Sequence, residues 1–261
     1  MTTSDLDLAR DLAVRAGRLL LELRESFGPI DPRDKERSKE LRDTADRTSN
    51  DLIMRGLIAA RPGDAILSEE GKDDDRRLTA DRVWIVDPLD GTWEYGQGRA
   101  DFGVHIALWN QAERRVETGV VDLPDQGLTR TSGDHGTLPP LATDRPLRVV
   151  VSRTRPPAEL DRIVTRWSER AGREVEIVNV GSVGAKVNEI LCGRAEAYLH
   201  DTGFYEWDVA APLAVGRRYG LEITHWDRTG VGFNQMPPYV RDLFVAHPEV
   251  ASDLRASLPE G

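Results

Sequence analysis

Two aspartates three residues apart, Asp87 and Asp90, close a short apolar run, Val83-Trp84-Ile85-Val86. Pro88 lies between them. It fixes its own φ and pushes Asp87 towards an extended conformation, so both acids can converge while the Leu89 carbonyl also faces inward. Two carboxylates and a carbonyl within four residues form an oxygen platform for a hard cation. Mg²⁺ suits such a platform because it takes few protein ligands, keeps several waters and leaves positions for a phosphate. Gly91 and Thr92 follow directly. The glycine lets the backbone approach a ligand closely, and the pair offers amides and a hydroxyl to an anion. Taken alone, Asp-Pro-x-Asp-Gly also describes an ordinary surface turn. A second acidic pair, Glu69-Glu70, ends the strand-like segment Ala65-Ile-Leu-Ser68. Unpaired carboxylates are costly away from water, and a metal would relieve that cost.

The elements that must position these acids are legible in part. Leu8, Leu12, Ala16, Leu19, Leu20 and Leu23 recur at helical spacing, which predicts an amphipathic helix from Leu6 to about Phe27, stopped by Gly28-Pro29. The charged segment from Asp31 to Glu40 reads as a mobile loop, and a second helix is expected from about Leu41 to Ala60. The apolar run Val83 to Val86 reads as a buried strand. The stretch Phe102 to Trp109 alternates, and with Val116 to Asp122 it predicts an antiparallel hairpin. His105 falls on its other face and reads as a hydrogen-bonded sheet histidine. The loop Gly71 to Arg77 reads as solvated. A Gly-, Pro- and charge-rich stretch from Gly133 to Arg145 joins two halves, an α+β half over about 1–140 and an α/β half over about 146–261. In the second half strands at Leu147 to Ser152, Val175 to Asn179 and Ala195 to His200 alternate with helices at Glu159 to Ala171, Ser182 to Cys192 and Trp207 to Tyr219, a pattern that favours parallel pairing. A last strand, Asp242 to Ala246, and a last helix, Pro248 to Leu258, complete the chain.

Composition narrows the class. With 261 residues, 31% charged and 39% hydrophobic, the chain can bury a large core, and no apolar run approaches membrane-spanning length. The acidic first residues do not resemble a basic leader, so a cytoplasmic setting is expected. The single cysteine, Cys192, excludes an internal disulfide and a thiolate cluster and reads as a small core residue. A net charge of −10 argues against coating a nucleic-acid polymer but not against a small phosphorylated substrate, since bound cations invert the local sign.

Three stretches, Ser68-Glu69-Glu70, Asp87-Pro88-Leu89-Asp90-Gly91-Thr92 and Trp207-Asp208-Val209-Ala210-Ala211, together resemble the motifs of the inositol monophosphatase superfamily, and most closely its CysQ branch of 3′(2′),5′-bisphosphate nucleotidases. The resemblance spans roughly Leu6 to Leu254. It implies a single domain with the layered αβαβα sandwich shared with fructose-1,6-bisphosphatases, a homodimer, lithium sensitivity and two or three Mg²⁺ ions per site. Position by position, it implies that Glu69, Asp87 and the Leu89 carbonyl hold one cation while Asp87, Asp90 and Asp208 hold a second. It gives Asp46 a place near the metals and makes Glu69 with Thr92 the pair that orients and deprotonates the attacking water. Two such cations clamp the attacking and leaving oxygens of an in-line displacement.

Read from the residues alone, Asp46 is a helix acid, Asp208 a helix cap, and Lys186 a helix lysine. For the substrate, Glu94-Tyr95 resembles the Thr-x-Glu-Phe extension of the CysQ branch, with Tyr95 and the bulky Trp93 departing from it. The segment from Ser182 to Lys186 also fits that branch, which has a lysine at the place of Lys186, where a cation can meet a second phosphate, and Ser182 is counted among the implied substrate contacts. Asp201 matches an acid that inositol phosphatases turn towards a sugar hydroxyl. Leu89, Asp90, Gly91, Thr92 and Asp208 complete the implied substrate contacts. The implied reaction is removal of the 3′-phosphate of 3′-phosphoadenosine 5′-phosphate, a by-product of sulfate assimilation. An inositol or fructose-1,6-bisphosphate phosphatase is the alternative, and an inactive nucleotide- or metal-binding relative a more distant one.

Overall fold

The computed structural model describes residues 3–31 and 33–259. In chain order, its first half comprises α1 (Asp5–Phe27), α2 (Lys35–Ala60), β1 (Ala65–Ser68), β2 (Arg82–Asp90), α3 (Thr92–Gly96), β3 (Gly103–Asn110), β4 (Arg115–Leu123) and β5 (Leu128–Thr131). Residues 132–146 carry no regular element. The second half follows with β6 (Leu147–Ser152), α4 (Leu160–Ala171), β7 (Val175–Val180), α5 (Val183–Leu191), β8 (Ala197–His200), β9 (Phe204–Tyr205) and α6 (Glu206–Tyr219). It closes with β10 (Glu222–Thr224), β11 (Tyr239–Val240), β12 (Leu243–Ala246) and α7 (Pro248–Arg255).

Five layers result, in the αβαβα order. One sheet runs β1-β2-β3-β4-β5, the other β10-β12-β8-β6-β7. The first sheet has two apolar faces: Trp84, Val86, Val104, Ile106 and Leu108 pack under α1 and α2, while Val83, Ile85, Ala107 and Trp109 point the other way. Strand side chains alternate between faces, and here both faces are buried. Helices α5 and α6 fill the middle layer, where their apolar side chains meet Val150, Tyr198 and Val245 of the second sheet. Gly119 lets α6 lie directly on β4, since a Cβ there would sit 2.6 Å from that of Ala214. Helices α4 and α7 cover the outer face of the second sheet through Ile163, Trp167, Val250 and Leu254.

Several sequence expectations need correction. Helix α2 begins at Lys35, not near Leu41, because Asp34 caps it by accepting from the Arg37 amide at 3.0 Å. The charges read as a loop are its solvated first turns. Pairing in the second half is only partly parallel: β6 runs parallel to β7 and β8, but β12 is antiparallel to both β8 and β10. The short strands β5, β9, β10 and β11 carry too few residues for a periodic signal. Arg77, placed in a solvated loop, is 1% exposed. Its guanidinium donates to Asp73 (2.7 and 3.0 Å), to Asn234 (2.8 Å) and to the Gln235 carbonyl (2.7 Å), which satisfies a cation that could not otherwise be buried. Cys192 ends α5 half-buried, where its sulfur accepts from Arg130 at 3.3 Å, rather than inside the core.

Candidate active site

Strand β2 runs through the acidic motif instead of ending before it. Its register with β3 is regular up to Asp87 opposite His105 and resumes at Asp90 opposite Gly103, so three steps on β2 match two on β3. Pro88 cannot donate to the ladder, which makes this the place for a bulge. The consequence is geometric. Residues three apart on a regular strand point to opposite faces, and the extra residue returns Asp90 to the face of Asp87. The Asp87, Asp90 and His105 side chains each bring a ligand atom within 4.8 Å of the others. Ser49 of α2 pins the bulge by donating to the Pro88 carbonyl at 2.7 Å.

Around this point the acids gather. Asp87 Oδ1 accepts from the Leu89 amide at 3.0 Å, while its Oδ2 is buried with no partner among the described residues. Asp90 Oδ2 accepts from the Val183 amide at the start of α5, at 2.5 Å. Asp208 lies in the first turn of α6 and accepts from the Tyr205 amide at 2.8 Å, so it does cap its helix. Glu69 follows β1, and its amide donates to the Val86 carbonyl at 3.2 Å. Thr92 donates its hydroxyl to the Leu89 carbonyl at 2.9 Å. Gly91 adopts φ 84°, a conformation costly for other residues. A Cβ on it would also come within 3.2–3.3 Å of the Asp101 carbonyl, Phe102 and Ser182. Glu69, Asp87, Leu89, Asp90, Gly91, Thr92 and Asp208 all line one cavity of about 340 Å³.

Burial, and then the charges beside them, make Asp87, Asp208, Glu69 and Asp46 reluctant to ionise. Burial, reinforced by the charges of Glu69 and Asp90, raises Asp87 well above its usual range, and burial with Asp90 and Glu69 does the same to Asp208. Glu69 stands at the rim, with much of the residue open to solvent, yet its carboxyl is hemmed in by protein and is pushed up to about 7 by burial, then by Asp46 and Asp90. Asp46 reaches about 7 through burial, then Glu70 and Asp43, and its Oδ1 is buried without a partner among the described residues. Repelling acids with an orphaned oxygen are suited to hold a cation, and their carboxylate oxygens suit a hard divalent one. His105, expected to be hydrogen-bonded, is fully buried, neither ring nitrogen has a hydrogen-bond partner among the described residues, and its Nε2 lies 3.6 Å from Asp90 Oδ2. Burial lowers its pKa, which keeps the ring neutral.

Residues 2–258 match the model of the inositol monophosphatase family. The chain belongs to that family. A protein of Mycobacterium leprae named 3′-phosphoadenosine 5′-phosphate phosphatase is 41% identical over 98% of this chain and 94% of its own length. The 3′(2′),5′-bisphosphate nucleotidase CysQ of Escherichia coli K12 is 28% identical over 85% and 90% of the two chains. Among solved structures, CysQ of Bacteroides thetaiotaomicron superposes with a TM-score of 0.72 at 25% identity, covering 92% of this chain and 95% of that one. The suhB protein of Bartonella henselae gives 0.74 at 21% identity, over 99% and 100%.

In this inositol monophosphatase family member the acids form only the floor of the cavity. One wall comes from the second half: Ser152, Thr154 and Arg155 at the end of β6, Lys186 on α5, and Tyr198 and His200 on β8. Lys186 is 3% exposed, its ammonium donates to the Gly181 carbonyl, and burial lowers it to about 8. The Tyr198 hydroxyl is buried without a partner among the described residues, and Arg155 Nη1 reaches the Gly203 carbonyl only at 3.5 Å. Arg42, Trp93 and Glu94 line the cavity from the first half. Three expected residues stand outside this lining. Asp46 is close enough for its charge to be felt by Glu69 and to feel that of Glu70, Ser182 caps α5 by accepting from the Ala185 amide at 2.9 Å, and Asp201 accepts from the Ala158 amide at 3.1 Å. The sequence reading missed Arg42, Ser152, Thr154 and Arg155. A usable signal was present for the last three, because Ser-Arg-Thr-Arg leaves the end of a predicted parallel strand, where open α/β sheets place ligands.

Proposed function

We propose that this chain is a Mg²⁺-dependent phosphatase that hydrolyses the 3′-phosphate of 3′-phosphoadenosine 5′-phosphate to AMP and phosphate. The observation that carries the reading is the pairing of an acid floor with a cationic wall in one cavity. The floor supports a site for the transferable phosphate, and Lys186 with Arg155 supports a site for a second one. The name of the 41% identical relative supports the same substrate.

Glu69, Asp87, Asp90, Asp208 and the Leu89 carbonyl would hold the cations, with Asp46 and Glu70 extending the acidic region for a third. Mg²⁺ in that place supplies neutralisation of phosphate charge and a more acidic water. The side chains do the positioning. The Thr92 proton is committed to the Leu89 carbonyl, so the Thr92 oxygen is left to accept a hydrogen bond from the attacking water. Glu69 lines the same cavity as Thr92 and is suited to take the proton that water gives up. The amides of Gly91 and Thr92 face the phosphate. A homodimer, a cytoplasmic setting and inhibition by lithium belong to the same reading, and sedimentation analysis and a lithium titration test the first and last.

The deciding experiment compares kcat/KM with Mg²⁺ for 3′-phosphoadenosine 5′-phosphate, inositol 1-phosphate and fructose 1,6-bisphosphate. We expect the nucleotide to be favoured about a hundredfold, or ~2.7 kcal/mol. A ratio near one, or one favouring either sugar ester, overturns the nucleotide reading while keeping the phosphatase.

A further inference from the structure

A nucleotide substrate brings a purine ring, and one side chain at the cavity is suited to meet it. Trp93 lines the cavity and is 42% exposed. Its neighbour Thr92 turns its hydroxyl inward onto the Leu89 carbonyl. One residue further along a helix is a rotation of about 100°. Trp93 thus borders the same cavity as the acid floor and keeps much of its surface open to solvent. The other aromatic side chains of the lining are already engaged. Phe204, 4% exposed, stacks on His200 with ring centres 4.0 Å apart and planes at 10°, and Tyr198 is fully buried with the Lys186 ammonium 5.2 Å from its ring centre. Arg42 borders the same rim, its stem crossing α3 at Gly96, where a Cβ would lie 2.7 Å from Arg42 Cδ. An indole left open to water at a ligand cavity gains from covering by a flat ring, and every nucleobase offers such a face. A polyol phosphate offers none.

We propose that Trp93 is a specificity-determining residue whose indole stacks on the purine base of the substrate, so that it selects nucleotides over polyol phosphates. This rests on the nucleotide reading above. The test uses the full chain with Mg²⁺ and the variants Trp93→Ala and Trp93→Phe. In Trp93→Ala the ratio of kcat/KM for 3′-phosphoadenosine 5′-phosphate to that for inositol 1-phosphate falls at least tenfold, mainly through a higher KM for the nucleotide, and Trp93→Phe restores most of it. Titrating AMP into the wild-type protein quenches tryptophan fluorescence, and that quench is lost in Trp93→Phe. A wild-type nucleotide preference that survives intact in Trp93→Ala, or an AMP quench that persists in Trp93→Phe, overturns the role of Trp93 and leaves the proposed reaction standing. A wild-type protein with no nucleotide preference overturns both.

Discussion

At the residue scale the site is a problem of unbalanced charge, and its variants should behave accordingly. Asp90→Asn keeps an oxygen to accept from the Val183 amide but removes one of the clustered negative charges. Turnover should fall by on the order of a thousandfold, the size expected when a preorganised electrostatic contact is deleted. Without divalent cation the same variant should melt at or above the wild-type temperature, because repulsion with Asp87 and Asp208 is relieved. A marked loss of stability would instead make Asp90 a structural residue. Lys186→Met should raise KM for a bisphosphate substrate about ten- to a hundredfold, the worth of a charge-assisted contact, with a smaller change in kcat; an unchanged KM would remove Lys186 from the substrate wall. The floor was legible before the wall for a physical reason. Asp87, Leu89, Asp90, Gly91 and Thr92 form one continuous stretch whose geometry is local, set by Pro88 and a bulge. Arg42 reaches the cavity only through the packing of separate layers, which leaves no local trace, and Arg155 is signalled only indirectly, by its place after a parallel strand.

At the element scale, strong periodicity translated well and weak periodicity did not. Helix α1 and the β3–β4 hairpin matched expectation because their apolar residues repeat over many positions. The start of α2 was missed because its cap, Asp34, precedes a run of charges with no apolar stripe. The sheet also carries a titratable group outside the site. Asp122 on β4 is 5% exposed beneath α1, where Gly17 leaves room for it, and burial lifts its pKa to about 6 although Thr129 donates to it at 2.7 Å. In the unfolded chain it ionises near its ordinary 3.8. Below that pH both states hold the proton, so folding is unaffected. As the pH rises from about 4 to 6 the unfolded chain loses its proton first, and the fold loses stability by on the order of 3 kcal/mol, a penalty that stays constant above pH 6. Asp122→Asn should therefore melt close to wild type at pH 4 and several degrees higher at pH 7. Equal differences at both pH values would rule out a buried carboxylate as the cause.

At the scale of the whole molecule, the floor draws Asp87 and Asp90 from the first sheet, Glu69 from just beyond its first strand and Asp208 from the middle layer, so a bound cation would tie layers together. Mg²⁺ at about a hundredfold over its dissociation constant should stabilise the fold by ~2.7 kcal/mol, a rise in Tm of about 5–10 °C that a chelator reverses and Asp90→Asn loses. A melting curve indifferent to Mg²⁺ would mean that the acids hold no cation. The origins of floor and wall carry a further consequence. Apart from Asp208, the floor is written between residues 69 and 92, whereas the cationic wall is written between 152 and 200. Inherited changes in the later stretch can alter which phosphate ester is welcomed while the hydrolytic apparatus passes unaltered to the next generation. A lineage built this way is free to explore new substrates without first surrendering its chemistry.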